Sequence, residues 1–432
     1  MRTIIKSYSG NYKFTYKLNA LVAFVYWLVF HPGLFSTDSF AAYEMAKSGN
    51  LDNPYTASWA IYIRYFSLYG NAISLLTLIN VLILSYAVTR LCIVLFDKKT
   101  AAAVAFFMCL SPGVSGIGIT LWHDIPMTSG FLLVLSSLIG ISKVNASRRM
   151  VLIDLTLGSI LVTFRPNGLP TLALVFALAL IFRKLQVFAK PLALSLLIAG
   201  TTTLIASYVG IGQAPINRYF SQEWMRNDLS CFASNSTKID FANVTKIRPH
   251  LHESWKSEEA CTFLNRFSLS KLEKQNSLEY VPMSWINLLK DEPMFLLKTH
   301  LKRNAYLNPI PLYGIPSTPF LHTNIEFEDR GIEWTFQAIA DKSRNILRSW
   351  NYIRPVTGWV GLWLAIITTL FVKTRDRNHL ILLIFAVSLT LILFVFAPIP
   401  DGRYGLPVLM IGQALLVNKI LIKYLEIRGA YE

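Results

Sequence analysis

Cysteine is scarce in this chain, carboxylates are outnumbered by cations, and the signatures of nucleotide and nucleophile chemistry are missing. Only four of the 432 residues are cysteine. Cys92 and Cys109 fall in apolar runs, where a thiol behaves as a small, inert hydrophobe. Cys231 and Cys261 share one long polar segment, and a disulfide between them is open to formation if that segment lies outside the cytoplasm. No His/Cys spacing suits a metal. There is no Gly-rich phosphate loop, dinucleotide fingerprint or nucleophile elbow. ATP hydrolysis, redox chemistry and serine hydrolysis are therefore left without residues to perform them. No basic patch coincides with a nucleic-acid-binding signature, so nucleic acid is not an expected partner. Internal repeats and inverted pairs of broken helices are also missing.

What the chain has is apolar length. It is 53% hydrophobic, with a mean hydropathy of +0.44, and the apolar residues come in blocks. A membrane-crossing helix needs about 20 predominantly apolar residues. The blocks predict about ten spans in an all-α integral membrane protein: Leu18–Phe35, Asn71–Phe96, Thr100–Thr120, Ile125–Ser142, Met150–Phe164, Gly168–Phe182, Pro191–Ile211, Pro355–Val372, Leu380–Ala397 and Leu406–Ile422. Pro112, Gly113, Gly116 and Gly118 should loosen the far end of the third. The N-terminus resembles a signal peptide but offers no small-residue cleavage site, so it reads as a retained first helix.

Charge supplies an internal check on that count. Forty-one Lys and Arg against 25 Asp and Glu give a net +16. With the N-terminus in the cytoplasm, basic clusters follow spans two, four, six, eight and ten, and the opposite loops are poor in cations. This is the positive-inside pattern for a multi-pass protein with both ends in the cytoplasm. It places the chain in a cell membrane, a bacterial inner membrane or a plasma membrane. The organisation expected is an N-terminal membrane module (1–212, with a first outer loop at 36–70), an extracytoplasmic segment between spans seven and eight (213–354), and a C-terminal membrane module (355–432).

The outer segment is rich in aromatic residues and should fold or lie on the bilayer. Trp285–Leu289 and Met294–Leu307 read as amphipathic helices broken at Pro293, with Asp291 placed to cap the second. Met294, Phe295, Leu297 and Leu301 form its apolar stripe, which suits either the membrane interface or the bundle.

The first outer stretch, His31–Arg64, is the candidate centre. It carries Asp38 just beyond the first span, where a carboxylate is costly to desolvate. Asp124, Arg165, and Asp401 with Arg403 occupy other outer loops. Two carboxylates and two guanidiniums around one cavity suit transfer of a group from a phosphate-linked donor: a carboxylate takes the proton of an attacking hydroxyl and arginines stabilise the phosphate. The candidate catalytic residues are Asp38 and Asp124, and the candidate substrate contacts are Arg165, Arg403, Tyr404, His123 and Trp59. Each has a plainer reading. Asp38 suits a helix-end cap, Asp124 the N-cap of span four, Arg165 a turn, Arg403 a local pair with Asp401, and His123 a surface histidine. No cofactor is required; the two carboxylates leave room for a divalent metal.

The Asp after the first span, the aromatic first outer loop, the WHDIP segment opening span four, the RPNG turn, the outer helix pair around Trp285 and Pro293, and the DGRYGLP turn before the last span together resemble the GT-C glycosyltransferases. These include protein mannosyltransferases, the lipid A aminoarabinose transferase and O-antigen glucosyltransferases. The resemblance implies a polyprenyl-phosphate-linked sugar donor, transfer on the non-cytoplasmic face, and an acceptor that is a cell-envelope glycan, lipid or protein. It implies catalysis by Asp38, an acidic partner in Asp124, and donor-phosphate contacts from Arg165 and Arg403. Departures exist. Thr37 and Ser39 flank Asp38 where several members carry adjacent acids, which weakens a metal role, and Asn53-Pro54 stands where members often have His-Pro. A transporter or lipid flippase is the main rival, and a non-catalytic scaffold the second. The transporter would place charges near the bilayer midplane, whereas the charges singled out here sit at helix ends on one side.

Overall fold

The structure, a computed structural model, describes residues 12–49, 56–141, 147–209, 280–304, 359–396 and 402–429, with short pieces at 224–225, 228–229, 232, 307, 335–340 and 342–343. Among these residues the chain is all-helical. The helices are labelled here α1 (Tyr12–Val29), α2 (Thr37–Ser48), α3 (Ala57–Phe66), α4 (Ile73–Leu95), α5 (Lys98–Leu110), α6 (Asp124–Ile141), α7 (Arg148–Val162), α8 (Gly168–Ile181), α9 (Ala189–Val209), α10 (Tyr280–Asp291), α11 (Pro293–Arg303), α12 (Val360–Thr374), α13 (Arg377–Phe396) and α14 (Leu406–Gly429). Five stretches are long and apolar enough to cross a membrane: Ile73–Leu95, Asp124–Ile141, Arg183–Val209, Arg377–Phe396 and Arg403–Ile427. Gly168–Ile181 and Val360–Thr374 are apolar but shorter. The protein is an all-α, membrane-embedded chain.

Local chemistry explains the boundaries. Asp97 caps α5 by accepting from the backbone N–H groups of Lys99 at 3.0 Å and Thr100 at 3.2 Å. Pro112 cannot continue an α-helical ladder, so α5 stops at Leu110 and the chain passes through a wider turn, Pro112–Gly116. The regular α-helix of the third apolar run thus stops at Leu110 and its far end is loosened, as its proline and glycines predict. The first outer stretch is more ordered than a loop, since it folds into α2 and α3.

Helix α6 is the centre of the bundle: its membrane-length window is 94% buried, against 22% for Arg183–Val209 at the periphery. It packs on α4 and α7. Against α7 the contact is backbone to backbone, because a Cβ on Gly130 would lie 2.7 Å from the Gly158 carbonyl and one on Gly158 would lie 2.7 Å from the Gly130 carbonyl. Small residues at a helix crossing allow this approach in an apolar solvent. Two hydroxyls of α6 fold back on their own backbone, Ser129 to Ile125 at 3.0 Å and Ser136 to Leu132 at 2.6 Å, and Ser137 donates across to the Val151 carbonyl of α7 at 3.0 Å.

Two expectations are corrected. Not all buried charge lies at one end: Arg90 on α4 and Asp154 on α7 pair at 2.6 Å inside the bundle. The Tyr86 hydroxyl donates to the other oxygen of Asp154 at 2.6 Å. Every oxygen of that carboxylate has a partner, as burial of an ionised group demands. On α11, the residue preceding Pro293 at the N-cap is Glu292, not Asp291. The buried face of α11 is Leu296, Thr299 and His300, while Met294 and Leu297 are exposed at 61% and 44%.

Candidate functional site

The site is assembled by a backbone stitch. Leu34 N–H donates to the Ile119 carbonyl at 3.1 Å and Leu121 N–H donates to the Leu34 carbonyl at 3.0 Å. This short parallel pairing joins the chain leaving α1 to the chain entering α6. Trp122 Nε1 then donates to Ser36 Oγ at 2.8 Å. Ser36 is the N-cap of α2, and its N–H donates to Ser39 Oγ at 3.0 Å. Asp38 consequently sits in the first turn of α2, where the helix dipole favours a negative charge. The capping position belongs to Ser36, so Asp38 is not the cap. Asp124 begins α6 directly after Trp122 and His123.

Arg165 arrives from a different turn. Helix α7 ends at Val162, Gly168 N–H donates to the Arg165 carbonyl at 3.0 Å, and a Cβ on Gly168 would collide with the Val162 carbonyl. The tight reversal therefore needs glycine at that position, and it aims Arg165 back into the bundle. Arg403 and Tyr404 come from the single 3-10 turn Gly402–Gly405 that leads into α14. Gly405 fits against Val360 of α12 with no space for a side chain.

The four charges meet. Asp124 is fully buried, and its Oδ1 pairs with Arg165 Nη1. Its Oδ2 lies 3.9 Å from Arg403 Nε. Arg403 Nη2 also reaches Asp38 Oδ2 at 2.5 Å. Exposure separates the two carboxylates: the Asp38 side chain is 41% exposed and that of Asp124 is 0%. Both guanidiniums lie over the Tyr404 ring, Arg165 at 3.7 Å and Arg403 at 5.6 Å from its centroid, and Arg403 lies 5.1 Å from the Trp122 centroid. Stacking of a planar guanidinium on an aromatic face fixes its orientation while leaving edge N–H groups for an oxyanion.

His123 is partly buried beside this cluster rather than a surface histidine. Burial first, and then the charges of Arg165 and Arg403, hold its pKa well below the ordinary histidine value, so it is neutral at physiological pH. Trp59 stands behind it, 6.1 Å between ring centroids, and 6.0 Å from Phe164. Trp59 is fully buried, which makes it part of the wall behind the cluster. Asp38, Asp124, Arg165, Arg403, Tyr404 and His123 are brought together, with Trp59 one layer back. Asp401 and the Cys231–Cys261 pairing lie outside the described residues. Among the described residues no group of three or more His, Cys, Asp or Glu side chains gathers as a metal site.

Sequence reasoning missed Trp122 as the link between the Asp38 and Asp124 segments, although it stands two residues before Asp124. It also missed a second buried cluster. Asp228 is fully buried, and its Oδ2 accepts from Trp285 Nε1 at 2.8 Å and contacts His300 Nε2 at 2.7 Å. The other ring nitrogen, His300 Nδ1, lies 2.9 Å from the Phe394 carbonyl near the end of α13, which also accepts from Asn304 Nδ2 at 3.1 Å. Helices α10 and α11 are thereby tied to α13. Asp228 carried no sequence signal, since it lies in a polar stretch with many charges.

Chemically, the primary cluster offers two adjacent guanidiniums for an oxyanion, one buried counter-charge that holds them, and one solvent-reachable carboxylate able to accept a proton. No family model, no curated protein and no solved structure matches the chain.

Proposed function

We propose that this protein is a membrane glycosyltransferase with ten spans and both termini in the cytoplasm. It moves a sugar from a polyprenyl-phosphate donor to a cell-envelope glycan, lipid or protein on the non-cytoplasmic face, in the manner of the GT-C enzymes it resembles in sequence. The observation that carries this reading is the convergence of Arg165 and Arg403 over Tyr404, with Asp38 on Arg403 at 2.5 Å and open to solvent.

In the proposed reaction, Arg165 and Arg403 bind the phosphate of the donor. The acceptor hydroxyl attacks the anomeric carbon. Its oxygen forms the new glycosidic bond and its proton passes to the Asp38 carboxylate. The bond between the anomeric carbon and the phosphate oxygen breaks, and its electron pair leaves with polyprenyl phosphate. Charge growing on that oxygen is stabilised by the two guanidiniums, which are in place on the bound phosphate before the bond breaks. Asp124 is the counter-charge that holds both arginines in place. His123, neutral at physiological pH, is available as a hydrogen-bonding group beside the sugar rather than as a third cation.

The transporter reading gains little from the Arg90–Asp154 pair. Both oxygens of Asp154 are engaged by Tyr86 and Arg90, which fits a staple between α4 and α7 better than a carrier group. The test is glycan composition of the native host's envelope with the gene intact, deleted, and restored as Asp38→Asn at matched membrane abundance. Loss of one hexose-sized unit on deletion, not restored by Asp38→Asn, supports the transferase. An unchanged glycan profile on deletion, with redundancy controlled, refutes it.

A further inference from the structure

The two ion pairs of the cluster differ in how easily they can be exchanged. Asp124 and Arg165 are held with side chains 0% and 10% exposed, so removing either partner strands a buried charge. The Asp38–Arg403 pair is different: Asp38 is 41% exposed, and water competes for its oxygens. While that pair is closed, an Asp38 oxygen faces a guanidinium and not a substrate hydroxyl.

We infer that Asp38 and the donor phosphate compete for Arg403, so that the Asp38–Arg403 pair is a latch opened by donor binding. A phosphate has two non-bridging oxygens and can reach Arg165 and Arg403 together, so it can displace the partly exposed Asp38 carboxylate from Arg403. When it binds, Arg403 turns its Nη2 from Asp38 to the phosphate, with Asp124 and the Tyr404 ring still holding the rest of the guanidinium. Asp38 is released to solvent with its lone pairs free for the acceptor hydroxyl. The base thus becomes competent only after the leaving group is in place. This order limits deprotonation of a hydroxyl, or of water, in an empty site. The inference rests on the phosphate-binding reading above and adds the regulation of that same site.

The test is equilibrium binding of geranylgeranyl phosphate to the purified full-length chain in nanodiscs, with geranylgeraniol as the uncharged control. Asp38→Asn should tighten phosphate binding by about threefold to tenfold, the scale of one partly exposed charged hydrogen bond. Glu44→Gln, which removes an exposed charge from the same helix without touching Arg403, measures the general effect of charge. Asp38→Ala serves as a second release variant, and thermal unfolding shows that each variant is folded. In the Arg403→Gln background the tightening by Asp38→Asn should disappear, since the two changes act on one contact. Equal affinities for Asp38→Asn and Glu44→Gln, with binding still dependent on Arg403, would overturn the latch and leave the phosphate-binding reading standing. No preference for the phosphate over the alcohol in any folded variant would overturn that reading, and the latch with it.

Discussion

Asp124 Oδ1 meets Arg165 Nη1 in an ion pair that solvent barely reaches, whereas Asp38 meets Arg403 at 2.5 Å with 41% of its side chain exposed. The two acidic residues therefore have different work within one cluster. Asp124 holds cations in a buried position, and Asp38 is the carboxylate that solvent can reach.

That division predicts opposite stability profiles. Asp124→Asn leaves Arg165 buried without its counter-charge and should cost about 3–5 kcal/mol. Asp38→Asn removes a partly exposed pair and should cost no more than about 1 kcal/mol. Thermal unfolding of both variants in the same detergent checks this. Equal losses would mean that Asp124 is not the organising charge.

His123 predicts a pH dependence. Its folded pKa lies below the ordinary value of about 6.5 because of burial and the neighbouring arginines. Between the lowered folded value and 6.5 the unfolded chain binds the proton and the folded chain does not, so stability rises with pH there. The contribution is complete above about 6.5 and is lost as pH falls towards the folded value, by up to about 1.4 kcal/mol per pH unit. His123→Gln should remove this part of the slope. The difference between wild-type and variant unfolding curves from pH 7.5 down to 5 isolates it from other titrating groups.

The Asp228–His300 contact predicts a local effect. His300→Ala removes the imidazole from Asp228, to which Trp285 still donates, and withdraws the imidazole from the Phe394 carbonyl, which Asn304 still donates to. Helices α10 and α11 should open before the bundle does. Limited proteolysis at a temperature well below global unfolding should cleave the outer segment faster in His300→Ala than in wild type. Identical cleavage rates would show that the cluster does not hold the segment.

The helices were legible in the sequence because apolar length and basic punctuation report them directly. The ordered α7 and α8 follow from apolar runs of only 15 and 14 residues, which the sequence marked as short. The acidic and basic members of the site were legible as outliers: each is a charged residue beside an apolar run. Their pairing was not. The sequence offered a local Asp401–Arg403 contact and no sign of the long-range pair of Arg403 with Asp38, while the Leu34–Thr120 stitch brings the Asp38 and Asp124 segments together. The inward turn of His300 was hidden for a similar reason. Its partner Asp228 lies far away in a polar stretch, and amphipathic periodicity marked only the apolar stripe of Met294, Phe295, Leu297 and Leu301, for the interface or the bundle alike.

Tyr404 separates stacking from hydrogen bonding. Its ring lies under Arg165 at 3.7 Å and near Arg403 at 5.6 Å. A cation over a desolvated aromatic face is worth up to about 2 kcal/mol, or about thirtyfold in an equilibrium. Tyr404→Phe keeps the ring face and should bind geranylgeranyl phosphate within about threefold of wild type. Tyr404→Ala removes the face from both guanidiniums, lets them reorient around Asp124, and should weaken binding by about tenfold or more. Because Tyr404 is buried at 5% exposure, the alanine variant also creates a cavity, so Tyr404→Leu, which fills space without a π face, is the necessary companion. If Leu binds as well as Phe, the residue acts by packing alone and the arginines are oriented by Asp124. If Leu falls with Ala, the ring face itself sets the geometry of the phosphate site.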